Sequence, residues 1–157
     1  MTSPVLTGTP TQTVQAFVDA FAARDVDAAM AVVDPRVSVT VHPLGVRAGG
    51  ADALRTVLDD LLRGFPDLMI SVGRVITTGD VVTALLKAEG TQAAGYAGAI
   101  NTEKHLDIDQ AWRFGTSGTS ATSGTSGGLI TDVAVYWCQA QLYRRLAVKR
   151  YDEIAIA

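Results

Sequence analysis

The stretch "HLDIDQAWRF", residues 105–114, alternates apolar and polar side chains with a two-residue period. That period constrains the fold more than any other feature, because successive side chains of a strand point to opposite faces. Leu106, Ile108, Gln110, Trp112 and Phe114 share one face; His105, Asp107, Asp109, Ala111 and Arg113 share the other. "LITDVAVYW", residues 129–137, divides in the same way, with Thr131, Val133, Val135 and Trp137 opposite Ile130, Asp132, Ala134 and Tyr136. A sheet with one apolar face needs a cover.

The cover lies upstream. Val14, Phe17, Val18, Phe21 and Ala22 recur at helical spacing, in a helix capped by Thr11 or Thr13 and running to about Arg24. "DVDAAMAVV" predicts a second, short helix ended by Asp34-Pro35, and Val37 to His42 a strand stopped by Pro43. In "GGADALRTVLDDLLRGFPD", Leu54, Val57, Leu58 and Leu61 form the buried stripe of a third helix, closed by Gly64 and Pro66. "LMISVGRVITTGD" and "VVTALLKAEGTQ" then read as strands meeting in a turn at Gly79-Asp80. "QAQLYRRLAVKRYDEIAIA" opens helical, and its last apolar residues add an edge strand or pack on the body. The class is α+β, with helices over one face of a largely antiparallel sheet.

The 157 residues fit one domain, 11–157, behind a flexible leader, 1–10. The chain is 48% hydrophobic, 18% charged and carries a net charge of −3. It has no basic stripe for nucleic acid and no apolar run long enough to span a membrane. A single cysteine, Cys138, leaves no internal disulfide and no cysteine-built zinc site, and the leader has no signal-peptide pattern. The cytoplasm is the expected location. Between the last two strands, "GTSGTSATSGTSGG", residues 115–128, is read as an enlarged hairpin tip. A Walker-type loop would need a Lys and a following helix, and a linker would need a second folding unit. Long loops cost only logarithmically more to close.

The order of elements, "FPDLMISVGRVITTGDVVTALLKAEGTQAAGYAGAINT" and the closing "AWRF…GLITDVAVYW…QLYRRL" together resemble the SnoaL-like polyketide cyclases of the nuclear transport factor two superfamily. The resemblance covers roughly residues 11–147. It implies a cone-shaped, curved antiparallel (mixed) sheet covered by three N-terminal helices and enclosing an apolar pocket. It also implies a homodimer through the outer sheet face, and a cofactor-free cyclase of polyketide or related secondary metabolism.

In that frame Ile108, Gln110, Trp112, Val133, Val135 and Trp137 face the pocket. The family's acid/base Asp falls at Val135, and a second family Asp at Cys138. Either the alignment slips by a residue or two, or another group moves the proton, or the reaction needs little proton transfer. His42, Glu89 with Lys87 as partner, and Gln110 are the catalytic candidates. Against them stand a solvated strand-end His, a surface ion pair and a satisfied core amide. Gln92 can hydrogen-bond a carbonyl, and Tyr96 can gate the mouth. Phe17, Phe21, Phe65, Trp112 and Trp137 are core aromatics first and walls for a flat substrate second. Cys138 reads as a small buried hydrophobe. Titratable residues show no metal-ligand spacing, so neither metal nor cofactor is expected. The expected partner is a small apolar, carbonyl-bearing substrate, closed into a ring by confinement: a cycloaddition, or hydroxyl attack on an epoxide or enone. The rival readings are a non-catalytic ligand-binding or interaction module, and a hydroxylase component acting on an aromatic polyketide.

Overall fold

Thr9 opens the first helix. Its hydroxyl accepts from the Gln12 amide at 3.2 Å while the Gln12 side chain accepts from the Thr9 amide at 2.9 Å, a reciprocal cap with Pro10 in the first turn. Helix α1 (Pro10–Ala22) thus starts earlier than a cap at Thr11 or Thr13 would allow, and takes Pro10, with Thr9 as its cap, from the expected leader. The computed structural model describes residues 9–117 and 128–148. The rest of the leader, most of the Gly/Thr/Ser stretch and the last apolar segment lie outside the described residues.

Asp25 caps α2 (Val26–Met30) through the Ala28 amide at 3.0 Å. Strand β1 (Val33–Val41) begins earlier than expected and includes Asp34 and Pro35. Its pairing with β6 is irregular between Val33 and Ser38, where Pro35, which has no amide hydrogen, escapes the ladder. β2 (Val46–Gly49) has no counterpart in the sequence reading, since four residues carry too little alternation to register. Then follow α3 (Ala51–Gly64), β3 (Met69–Thr78), β4 (Val81–Thr91), β5 (His105–Thr116), β6 (Ile130–Trp137) and α4 (Gln139–Arg145).

The six strands form one mixed sheet in the order β2-β1-β6-β5-β4-β3. Among the described strands only β1 and β6 run parallel. α1 and α3 cover one face with Val14, Phe17, Val18 and Phe21 and with Leu54, Val57, Leu58 and Leu61, all buried. Ser117 donates its amide to Leu129 O at 2.9 Å, and the Leu129 amide donates to Ser117 Oγ at 2.8 Å, beyond the paired ends of β5 and β6. The β5–β6 register shifts between Gly115 and Thr116. This bulge resets the alternation, so Ile130 is buried and not outward as strict alternation has it.

The Phe-Pro-Asp segment is a structural latch between α3 and β3. Phe65 is buried beneath Gly90, where a Cβ would lie 3.0 Å from its own. Asp67 accepts the Thr91 amide at 2.7 Å, and the Arg24 guanidinium donates to Pro66 O at 3.0 Å and to Leu68 O at 2.9 Å.

Candidate functional site

The inward face of β5 delivers Leu106, Ile108, Gln110, Trp112 and Phe114 to the interior, each at most 3% exposed. Strand register sets their neighbours: Trp112 lies opposite Val135, Phe114 opposite Val133 and Gln110 opposite Trp137. From α1, Phe17 meets Trp112 with ring centroids 6.1 Å apart and Phe114 at 5.3 Å, and Phe21 meets Trp112 at 6.0 Å. Phe17, Phe21, Ile108, Gln110, Trp112, Val133 and Val135 are thereby assembled on one interior surface.

Within it Gln110 is the one amide on the β5 face, and its Oε1 accepts from Trp112 Nε1 at 3.0 Å. The pair orients the amide in an apolar setting, where a hydrogen bond is stronger than in water. Val135 is fully buried between Trp112 and Val41, and Asp132, the nearest carboxylate in the chain, is exposed opposite Gly115. No one-residue slip brings an acid inward here. Among the described residues the buried polar side chains are Thr13, Gln92, Gln110 and Thr116, together with the phenol of Tyr96.

The other candidates sit elsewhere. His42 is exposed, one position past inward Val41, and stacks on outward Tyr136 with ring centroids 4.4 Å apart. Glu89 lies on the outer face opposite Asp107, and Lys87 pairs with Asp107 at 3.4 Å and not with Glu89. Neither His42 nor Glu89 reaches the interior, because Val39 and Val41 in β1, and Leu86 and Ala88 in β4, already hold the inward positions. Gln92 is buried and engaged at both ends: Nε2 donates to Ala94 O and Ile100 O, and Oε1 accepts from the Thr102 amide, all within 3.1 Å. It pins the 93–102 loop and has nothing left for a ligand. Tyr96 is no exposed gate; it is 4% exposed and packs edge-on against Phe65 at 5.5 Å. Cys138 is exposed, where a buried hydrophobe was expected.

A relay of side chains escaped the sequence reading. Trp137, half-buried, donates Nε1 to Gln139 Oε1 at 2.8 Å; Gln139 Nε2 lies 3.1 Å from the Tyr143 hydroxyl, which donates to Ala97 O at 2.7 Å. Thr102 Oγ1 donates to Leu146 O at 2.7 Å. Together they tie α4 and the 93–102 loop over the end of the sheet. The available signal was the four-residue spacing of Gln139 and Tyr143, which puts both on one helix face.

A hollow of about 760 Å³ runs across the sheet along the registered rows Ser71–Lys87–Asp109 and Leu85–Ala111–Tyr136 of the outer face, and Leu86, Gln110 and Trp137 also line it. Gly73 and Ala111 leave its floor low, and Lys87 and Asp109 supply charge of both signs. Met69, Ile76, Val81, Leu85 and Tyr136 are exposed around it.

Among the described residues no helix is long and apolar enough to cross a membrane, and no three His, Cys, Asp or Glu side chains come together as metal ligands. No curated protein matches the sequence. Solved structures do match the fold. One, assigned as a SnoaL-like polyketide cyclase of Jannaschia sp. CCS1, is 16% identical over 96% of this chain and 99% of its own, with a TM-score of 0.75. IdmH of Streptomyces antibioticus, assigned as a polyketide cyclase, is 17% identical over 90% and 100%, with a TM-score of 0.71. AclR of Streptomyces galilaeus, assigned as a hydroxylase, is 15% identical over 88% and 80%, with a TM-score of 0.71. The model of the SnoaL-like domain matches residues 14–122, more than half of the sequence. On that match the chain belongs to the SnoaL-like domain family.

Proposed function

We propose that this protein is a cofactor-free, cytoplasmic cyclase of polyketide-type metabolism that closes a ring in an apolar, carbonyl-bearing chain held against the inward face of β5. The observation that carries this reading is the buried Gln110–Trp112 pair, a neutral hydrogen-bonding group on an otherwise apolar wall. Gln110 polarises the substrate carbonyl through its amide, and the aromatic wall of Phe17, Phe21 and Trp112 holds the chain folded, so that the barrier falls mainly through confinement. No carboxylate or imidazole of the described residues stands on the inward face. This favours closures that need little proton transfer, such as a cycloaddition or ether formation, over aldol chemistry, which needs a base with a tuned pKa. The assignments of IdmH and the Jannaschia protein support the same class.

Either closure is an isomerisation, a cycloaddition moving no proton and an ether closure passing the attacking hydroxyl's proton to the opened epoxide oxygen, so substrate and product share one mass and differ in retention. The test offers the full chain linear carbonyl-bearing molecules with a diene–dienophile or hydroxy-epoxide pair, under nitrogen and in air. Accelerated closure under nitrogen is expected, and Gln110→Leu lowers kcat/KM about tenfold, the loss of one hydrogen bond to the transition state. Saturable binding without closure would mean the carrier reading, which the lack of an inward acid also fits; an added oxygen atom in air alone would mean the hydroxylase reading.

We also propose a homodimer through the outer face. A two-fold interface must be complementary to itself. This surface combines exposed Met69, Ile76, Val81 and Leu85 with Lys87 and Asp109 in one row, so each charge finds its opposite on a second copy.

A further inference from the structure

Gln110 stands two residues before Trp112 on the inward face of β5, a spacing that sets their side chains next to each other. The indole N–H of Trp112 meets the Gln110 amide at 3.0 Å. An indole N–H only donates, so the amide atom facing it is the oxygen, Oε1, and the amide's NH2 points away from the indole. The ring cannot swing off to release it. Trp112 is 1% exposed, lies 6.1, 6.0 and 6.0 Å from the ring centroids of Phe17, Phe21 and Phe114, and is flanked in register by Ala84 of β4 and Val135 of β6. Nor does the second tryptophan compete for Oε1. Trp137, the register partner of Gln110, gives its own N–H to Gln139 at 2.8 Å.

The NH2 group is left over. Nε2 of Gln110 makes no hydrogen bond among the described residues, whereas Nε2 of Gln92, the other buried amide, donates to Ala94 O and Ile100 O. It is not sealed from water either. Among the described residues the Tyr96 hydroxyl is the one sealed side-chain polar atom without a partner, so the equally unbonded Nε2 keeps a small accessible surface. Two N–H donors therefore stand on a wall otherwise made of Phe17, Phe21, Ile108, Trp112 and Val135. In such a setting an acceptor gains more from them than it would in water.

We propose that Trp112 is a positioning residue: by holding Oε1 it makes Gln110 a donor towards ligands, and so tunes the inward wall to an oxygen that carries no proton, a ketone ahead of an alcohol. An alcohol oxygen can also accept from Nε2, but its own proton then stays unpaired or must share Oε1 with the indole. A ketone has no proton to place. The inference deepens the reading of the inward face as the ligand site and rests on it. It does not depend on what the bound molecule then undergoes.

The test uses the full chain and three unreactive rings of one shape: cyclohexanone, cyclohexanol and methylenecyclohexane. NMR follows the Gln110 side-chain NH2 signal, identified as the one absent from Gln110→Leu. Cyclohexanone is expected to move that signal saturably and to bind about tenfold tighter than either of the others, the effect of one hydrogen bond gained or one proton left unmet. Trp112→Phe keeps an aromatic ring without the N–H, so the amide can turn over, and the preference for ketone over alcohol is expected to vanish. A merely structural Trp112 would weaken all three probes and leave that preference standing. Gln110→Glu checks the same point in a chain that retains Trp112. With one oxygen held by the indole, the other donates only when protonated, so cyclohexanone binding is expected to fade as pH rises. The unaltered chain, with no carboxylate or imidazole of the described residues on the inward face, should show no such fading. The proposal falls if cyclohexanone leaves the NH2 signal unmoved, if the unaltered chain binds alcohol and ketone equally, if Trp112→Phe keeps the full preference, or if Gln110→Glu binds the ketone equally at every pH. Because none of the probes reacts, selective ketone binding without closure of any linear substrate would fault the cyclase reading alone.

Discussion

Asp67 shows how one side chain can serve a fold from an exposed position. Its carboxylate accepts the Thr91 amide at 2.7 Å, closing the exit of β4 onto the turn that leads into β3. That backbone hydrogen bond, more than any charge, lowers its pKa below the ordinary 3.8. A lowered carboxylate pKa stabilises the fold above the unfolded-state value, and the contribution disappears as pH falls through the folded-state value. Asp67→Asn is therefore expected to be less stable than the parent at pH 7, with the gap closing below about pH 4 as the parent's carboxylate is protonated. Urea unfolding of both proteins across pH 2.5–7 measures this, and a gap that stays constant over that range would refute it. Gln92 is the buried counterpart: an amide that serves a loop with both ends, whereas Gln110 on the inward wall is bonded through its oxygen to Trp112.

At the scale of elements, the close approach of β4 to the end of α3 depends on Gly90. A Cβ there would lie 3.0 Å from Phe65 Cβ, 3.1 Å from Asp67 Oδ1 and 3.4 Å from Leu68 Cα, and two of these three atoms belong to stiff, buried residues. Gly90→Ala is expected to cost about 1–3 kcal/mol of stability through overpacking. Gly73→Ala, whose Cβ would meet Leu85 O at an ordinary 3.5 Å, is the control and should differ little. Denaturant midpoints of the two variants against the parent decide the matter. The faces of β4, β5 and the end of β6 were legible in the sequence because alternation is a property of every strand. By the same rule Val37, Val39 and Val41 turn His42 outward, and Ala84, Leu86 and Ala88 turn Lys87 and Glu89 outward, so their placement was written in residues already at hand. What the pattern does not carry is any departure from period two. The bulge that buries Ile130, the four residues of β2, and the ladder gap that admits Pro35 into β1 all arise from pairing with a distant strand. Gln92 and the Trp137–Gln139–Tyr143 relay were hidden for a related reason: their partners are loop carbonyls, fixed only once the chain has folded.

Among the described residues the sheet is clad on one side. α1 and α3 bury the inward face, and on the other lie Met69, 62% exposed, and Ile76, Val81, Leu85 and Tyr136, each between 37% and 44%. Such a surface, with an apolar hollow across four strands, is more than scattered exposed residues and invites association. In the homodimer we propose, a two-fold axis over the hollow would set each Lys87 near the other copy's acidic row, because Lys87 and Asp109 face each other in register. Light scattering on the unaltered chain is expected to give about twice 16.5 kDa. Leu85→Lys with Tyr136→Lys sets like charges against one another across the axis at positions that are already solvent-exposed, so it is expected to return 16.5 kDa with circular dichroism unchanged. An unaltered chain that scatters as a monomer, or a double variant that stays paired, would show that the outer face is not where copies meet.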